Sequence, residues 1–328
     1  MSATKLRWGV LGVAKINQQV IPAIHDADNA EMYGIASRSL EKAQQAAKHY
    51  NAAKSYGSYE ALLDDPDVDV IYNPLPNSLH DVWTRNAIEK GKHVLCEKPL
   101  CPTADEAQAL VDFCESKNLK LLDNFMWPHH PRTAEIRKQI DDGTIGEVRH
   151  VSTTFSFPMD MSQDNIRLES DLAGGSLLDI GCYPVYGIRW AMGSEPLRAF
   201  ATAKFVRRVD LEMSAVLEFD NDRAAIFDCA FTRPYRGWFE ITGDKGVIRV
   251  PNFWQPDDAA NWIVTRLNEA PREHVIRGEN HRVHVVQNFG RAILNDEPVT
   301  PSMDNAVNSL RVMDALLTSA RDKTVVSL

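Results

Sequence analysis

Residues 6–17 read LRWGVLGVAKIN, and their reading decides the fold. A short run that is apolar on both faces gives way at Gly12 to a helical start, so a buried strand is predicted to feed a helix through a tight turn. The alternation then repeats. AEMYGIAS precedes LEKAQQAAKHY, VDVIYNPLP precedes SLHDVWTRNAIEKG, KHVLCEKP precedes ADEAQALVDFCESKN, and LKLLDNF closes the series. Doubly apolar runs spaced by amphipathic helices are the pattern of buried parallel strands. The expectation is α/β: a doubly wound parallel sheet of the Rossmann type, with VDVIYN as its fourth strand and KHVLC as its fifth.

Beyond Pro131 the pattern changes to longer alternating strands such as EVRHVSTTFSF, MSAVLEFD and RAAIFDCAF. WFEITGDKGVIRV reads as two strands joined at Gly243 to Gly246, with Gly-Asp and Lys-Gly supplying positive backbone angles. A C-terminal α+β domain with a large, mostly antiparallel sheet is expected. The division is placed at 1–127 and 128–328, since 328 residues suit about two domains. Two final helical stretches, HRVHVVQNFGRAILND and NAVNSLRVMDALLTSARD, are expected to cover a sheet face or return to the first domain.

A net charge of −9 without a Lys/Arg cluster excludes a mainly electrostatic nucleic-acid partner. No apolar run approaches the roughly 18–20 residues of a membrane span, and MSATKLRWGVLGV lacks the features of a secretory signal. Five scattered cysteines, Cys96, Cys101, Cys114, Cys182 and Cys229, fit buried thiols in a reducing cytoplasm. His129 and His130 are adjacent, so their side chains diverge, and with no third ligand evident no metal is expected.

Of a dinucleotide fingerprint only Gly12 keeps its place; Ala14 and Asn17 stand at the second and third glycine positions. The βαβ context nevertheless favours a pyrophosphate at this helix start. GIASRSLEKA follows the second strand, where a carboxylate would hold a free ribose hydroxyl. Ser37 and Arg38 instead offer a hydroxyl and a planar cation, the pair suited to a 2′-phosphate, so NADP(H) is preferred over NAD(H). Ser39 capping a helix is compatible with this. In NPLPNSLH, Pro74 and Pro76 stiffen a loop at the carboxyl end of the sheet, from which Asn77 and His80 can face the cofactor.

CEKP occupies the next such loop. Pro99 restricts the residue before it and aims Lys98, Glu97 can fix the ammonium, and partial burial can bring its pKa toward the range useful for proton transfer. A cis Lys98–Pro99 bond is anticipated. In AGGSLLDIGCYPVYG, Gly174 and Gly175 permit an unusual turn and Ser176 can cap the segment after it. Asp179 and Tyr183, four apart, share a helix face if Gly181 and Pro184 do not break it. A phenol beside an ammonium can work as a general acid or base on a hydroxyl or carbonyl.

With these residues assembled, the chain resembles the glucose-fructose oxidoreductase and inositol dehydrogenase family (Gfo/Idh/MocA). The likeness runs in order through GVLGVAKI, ASRS, NPLPNSLH, GKHVLCEKPL, NFMWPHHP, GTIGEVRHV, GGSLLDIGCYP and GDKG. EKP together with DIGxY is most similar to the branch of D-xylose 1-dehydrogenases, dimeric dihydrodiol dehydrogenases and sugar 3-ketoreductases, which tends to use NADP(H). The resemblance implies that Lys98 and Tyr183 handle the proton and Asp179 positions substrate. It adds Lys15, Ile16, Leu75, Pro76, Glu97 and Lys98 to the cofactor contacts, and DNIRLES suggests Asn165 and Arg167 as substrate contacts. A homodimer or homotetramer through the large sheet is implied as well. Tyr183 stands where inositol-type relatives carry histidine, which argues against a cyclitol of that type. Pro128, His129 and His130 replace a stretch that holds an arginine in many relatives, so contacts there do not carry over.

The function expected is an NADP(H)-dependent oxidoreductase acting on a sugar or related cyclic polyol, like a D-xylose or aldose 1-dehydrogenase. Keto-sugar reduction and trans-dihydrodiol oxidation are the alternatives within the enzyme class. A cofactor-sensing regulator that kept the fold and lost the chemistry is the alternative outside it.

Overall fold

The computed structural model describes residues 5–328. In chain order the first elements are β1 (Leu6–Leu11), α1 (Asn17–Asp26), β2 (Ala30–Ala36), α2 (Leu40–His49), β3 (Lys54–Tyr56), α3 (Tyr59–Leu63), β4 (Val70–Asn73), α4 (His80–Glu89), β5 (His93–Cys96), α5 (Ala104–Ser116) and β6 (Leu121–Asp123). The strands form one parallel sheet in the order β3-β2-β1-β4-β5-β6, the doubly wound arrangement expected. Strand interiors are buried on both faces because helices cover both: Val10, Leu11, Ile35, Ile71, Val94 and Leu95 are fully enclosed. The order reverses between β1 and β4, so the loops after β1, β2, β4 and β5 share the carboxyl edge where such sheets bind ligands.

Next come α6 (Pro131–Asp141), β7 (Val148–Ser156), α7 (Cys182–Met192), β8 (Arg198–Val206), β9 (Val209–Glu218), β10 (Ala224–Ala230), β11 (Phe239–Gly243), β12 (Gly246–Val250), β13 (Ala259–Arg266) and β14 (Arg272–Arg277). After them lie α8 (His281–Leu294), α9 (Asp304–Asp322) and β15 (Val326–Ser327). The second sheet runs β14-β13-β12-β11-β7-β10-β9-β8-β15. It is antiparallel except where β10 lies parallel to β7. One face packs on α7, whose buried residues include Val185, Ile188 and Ala191.

Two compact units result. The first runs to His129 and takes in Asn280–Val307; the second holds His130–Glu279 and Asn308–Leu328. The sequence division at 127 and 128 lies close to the first crossing but does not contain the return of residues 280–307. That return has a physical cause: α8 buries Val285, Val286, Phe289 and Ala292 and packs on α1. Phe289 meets Trp8 edge-on at 6.1 Å, and Asn29 Nδ2 donates to the Gln287 carbonyl at 2.9 Å.

The β11–β12 hairpin forms as expected, but not by the expected backbone. Neither Gly243 nor Gly246 has a positive φ. They are glycines for want of space: a Cβ would stand 2.1 Å from the Ile145 carbonyl oxygen at Gly243 and 2.6 Å from that of Thr265 at Gly246.

Candidate active site

In the first unit the β1–α1 turn is drawn against the end of β2, with the Gly12 amide donating to the Ala36 carbonyl at 2.8 Å. Gly12 sits at φ +84°, and a Cβ there would come within 3.1 Å of Leu75 Cδ2 and 3.3 Å of Tyr59 Oη. The conformation therefore demands glycine, and a side chain would also press on both neighbours. Asn17 supplies what a third glycine does not: fully buried, it donates from Nδ2 to the Gly12 carbonyl at 2.9 Å and locks the turn. The amides of Ala14, Lys15 and Ile16 donate to no acceptor among the described residues. Such successive free N–H groups at a helix start fit the phosphates of a dinucleotide.

Ser37 is buried, its Oγ accepting the Ser39 amide at 3.3 Å, while Arg38 is exposed and has no ion pair among the described residues. Ser39 caps α2 by accepting the Lys42 amide at 3.3 Å, so the capping and recognition readings hold together. Glu41, the first carboxylate, faces along the helix to Gln45 at 3.2 Å. Among the described residues no carboxylate pairs with Arg38.

The loop after β4 is tied down by Asn73, whose Nδ2 reaches Thr84 Oγ1 at 3.1 Å. Leu75 is buried; Pro76 and Asn77 are half-buried. His80 departs from the expectation. It is fully buried, with Nδ1 2.8 Å from the Pro99 carbonyl oxygen and Nε2 2.7 Å from that of Leu75. Burial holds its pKa below the usual histidine value, so the ring is neutral and donates to one of the two carbonyls. The ring sits between the loops after β4 and β5 with a carbonyl oxygen at each nitrogen, so neither nitrogen is left for a cofactor.

In the loop after β5 Lys98 is half-buried, and its bond to Pro99 is cis as anticipated. Glu97 Oε1 accepts Tyr72 Oη at 2.6 Å and Asn124 Nδ2 at 2.7 Å. Burial first and then the Glu97 charge push the Tyr72 phenol well above its ordinary value, so it stays a donor. Tyr72 and Asn124 escape a reading by motif. The only trace is two polar residues at strand ends, in VIYN and LLDNF.

In the second unit the motif GGSLLDIGCYP folds as a π-helical turn, Leu177–Gly181, running directly into α7. Neither suspected breaker interrupts it. Gly181 allows close approach to β10, where a Cβ would meet Cys229 Sγ at 2.9 Å, and Pro184 lies in the first turn of α7, where a missing N–H matters least. Gly175 has φ +117°. Ser176 does not cap the segment. Its Oγ donates to Asp210 Oδ2 at 2.5 Å, and the same oxygen accepts the Leu177 amide at 2.7 Å. The cap is thus a buried carboxylate from β9, a residue no local motif reveals.

Asp179 is mostly buried, with its side chain 16% exposed, and its Oδ2 accepts Arg167 Nε at 2.5 Å. The structure so brings together a carboxylate and a guanidinium singled out separately. Arg167 also lies over the Phe157 ring at 5.9 Å. Asn165 Oδ1 accepts the Arg167 amide at 3.1 Å, a local turn that presents the guanidinium. Tyr183 is buried against Phe155 and Trp254, edge-on at 5.1 and 5.8 Å. His129 and His130 part as expected: His129 Nδ1 faces Asn288 Nδ2 at 3.0 Å, whereas His130 Nδ1 accepts the Arg132 amide at 3.0 Å and caps α6. Among the described residues no group of three His, Cys, Asp or Glu has metal-binding geometry.

Comparisons with known proteins agree with this architecture. Residues 6–125 match the NAD-binding Rossmann-fold domain of the Gfo/Idh/MocA oxidoreductase family, and residues 133–249 match its C-terminal domain. The chain is 36% identical to a D-xylose 1-dehydrogenase (NADP(+)) of Haloferax volcanii over 98% of this chain and 100% of that protein. It is 32% identical to the trans-1,2-dihydrobenzene-1,2-diol dehydrogenase of Xenopus tropicalis over 76% of this chain and 77% of that one. Among solved structures, a 3-ketoreductase from Actinomadura kijaniata in complex with NADP and TDP-benzene superposes with a TM-score of 0.89 at 28% identity, covering 96% of this chain and 98% of that one. Variants of that ketoreductase with a lysine or a tyrosine replaced also match. Two family domains in sequence, on a doubly wound sheet followed by a nine-stranded one, make this chain a member of the Gfo/Idh/MocA oxidoreductase family.

Proposed function

We propose that the protein is an NADP(H)-dependent oxidoreductase acting on a CH–OH or keto carbon of a sugar or related cyclic polyol, with an aldose such as D-xylose as the leading substrate. The observation that carries this reading is the likeness over 98% of the chain to an NADP(+)-dependent D-xylose 1-dehydrogenase. The parallel-sheet unit takes the cofactor: free amides at Ala14 to Ile16 face its pyrophosphate, and Ser37 with the exposed Arg38 reads its 2′-phosphate. When bound, the nicotinamide accepts a hydride from the carbinol carbon or gives one to the carbonyl carbon.

The side chains supply the rest. Tyr183 and Lys98 take the hydroxyl proton as the C–H bond breaks, and return it in the reverse direction. Glu97, fixed by Tyr72 and Asn124, holds the loop that carries Lys98. Asp179 and Arg167 form one polar edge that orients sugar hydroxyls, with Asn165 setting the guanidinium. Arrangement as a homodimer or homotetramer is supported by an exposed apolar row across three strands. Phe200 pairs in register with Val216, and Val216 with Ile226, at 37%, 45% and 45% exposure. No helix among the described residues is long and apolar enough to cross a membrane, and all five cysteines are buried and free, in keeping with work in the cytoplasm.

A second reading, reduction of a nucleotide-linked keto-sugar, is favoured by the TDP ligand in the ketoreductase structure. An absorbance screen of aldoses, ketoses, cyclitols and diols with NADP and NADPH separates the readings. Turnover of D-xylose with NADP supports the first, and turnover confined to keto-sugars with NADPH supports the second. Arg38→Ala tests the cofactor reading: NADP preference should fall about tenfold or more, as expected for a lost charge-assisted phosphate contact. Unchanged preference refutes it.

A further inference from the structure

Tyr59, the first residue of α3, belongs to none of the sequence motifs. Its side chain is nearly enclosed, at 9% exposure, and its ring is held edge-on by Trp83 with centroids 4.8 Å apart. A tyrosine packed this deeply ordinarily gives its hydroxyl a partner. Tyr59 Oη has none among the described residues. The neighbouring Tyr56 and Tyr72 hydroxyls, by contrast, donate to Asp65 and Glu97 at 2.6 Å each.

The position of this oxygen is informative. It stands 3.3 Å from where a Cβ on Gly12 would lie, beside the turn that the Gly12 amide ties to Ala36 at 2.8 Å. Ser37 and Arg38 follow Ala36 directly; burial raises the Tyr59 phenol above its ordinary value, and the positive charge of Arg38 opposes that rise. An unused O–H donor, a buried hydroxyl and an exposed guanidinium thus surround the end of β2.

We infer that Tyr59 Oη is a third reader of the cofactor's adenosine 2′-phosphate, donating a hydrogen bond to the anion that Ser37 and Arg38 also hold. The inference rests on the NADP(H) reading and deepens it. Trp83 fixes the ring in advance, so little side-chain freedom is lost when the donor engages.

Tyr59→Phe removes one oxygen and keeps the packing. Binding is followed by nicotinamide fluorescence with NADPH and with NADH, and by competition with 2′,5′-ADP and with 5′-AMP. NADPH and 2′,5′-ADP should each weaken by about tenfold, the cost of one hydrogen bond to a charged group, with NADH and 5′-AMP unchanged. Equal weakening of NADPH and NADH overturns the inference by assigning the hydroxyl to packing or to the pyrophosphate. No weakening of either overturns it outright. A wild-type protein that binds NADPH and NADH equally, with no loss in Arg38→Ala, refutes the NADP(H) reading itself and Tyr59's role with it.

Discussion

His129 ends the N-terminal segment of the first unit and gives a quantitative acid-stability prediction. Burial, reinforced by the charge of His284, pushes its pKa down to about 4. The hydrogen-bond geometry agrees: Asn288 Nδ2 can only donate, so Nδ1 must stay unprotonated to accept it. Between the unfolded value of about 6.5 and the folded one, the unfolded chain binds the proton and the folded chain does not, so stability falls as pH falls. From pH 7.5 to pH 5 this residue alone should remove about 2 kcal/mol, or about 4–8 °C of melting temperature for a unit of this size. His129→Gln keeps an acceptor for Asn288 and does not titrate. Melting of the cofactor-free protein, followed by circular dichroism at both pH values, should show the variant losing that much less than wild type. His80 and His93 are also held below the usual histidine value, so wild type and variant share their contribution and the difference isolates His129. Equal losses, or an NMR titration of His129 near 6.5, refute the reasoning.

Three further outcomes are expected at the site and the second sheet. Lys98→Ala should lower kcat about 10²–10⁴-fold with an unchanged melting temperature, and near-normal turnover in a folded variant sinks the proposed proton transfer. Asp210→Ala leaves the Ser176 hydroxyl and the Leu177 amide without their acceptor; it should cost about 2–5 kcal/mol in urea denaturation and lower kcat, with Asp210→Asn milder on both measures. Ile226→Lys with Val216→Lys should shift the assembly toward monomer in light scattering, and an unmoved mass rules out the β8–β10 face as the interface.

The parallel sheet was legible because strands enclosed on both faces read as continuous apolar runs, and the loops at its carboxyl edge carry residues whose chemistry is recognisable one at a time. β3 and α3 left little trace. Lys54–Tyr56 has three residues, none fully buried, and Tyr59–Leu63 is barely one helical turn. The candidate residues Lys98, Asp179, Tyr183 and Arg167 could be singled out one at a time, but the pairings that hold the surrounding segments could not. Tyr72 meets Glu97 25 residues away, His80 meets Pro99 19 away, and Ser176 meets Asp210 34 away. Such pairings are products of strand order and register, which a local pattern does not encode. The glycines of the β11–β12 turn make the same point: their reason is the carbonyls of Ile145 and Thr265, on other segments.

The return of Asn280–Val307 to the first unit has a bearing on how the chain is made. When His129 has been synthesised, the surface that will receive Phe289 beside Trp8 has no cover. At about 5–20 residues per second, roughly 10–30 s pass before α8 emerges. The nascent parallel sheet therefore waits for its last helix while the whole of the nine-stranded sheet except β15 is being made. A gene fragment cut at residue 129 would hold that unfinished state permanently, whereas a circular permutant that starts at Asn280 and joins Leu328 to Met1 would deliver α8 to the sheet as soon as it forms.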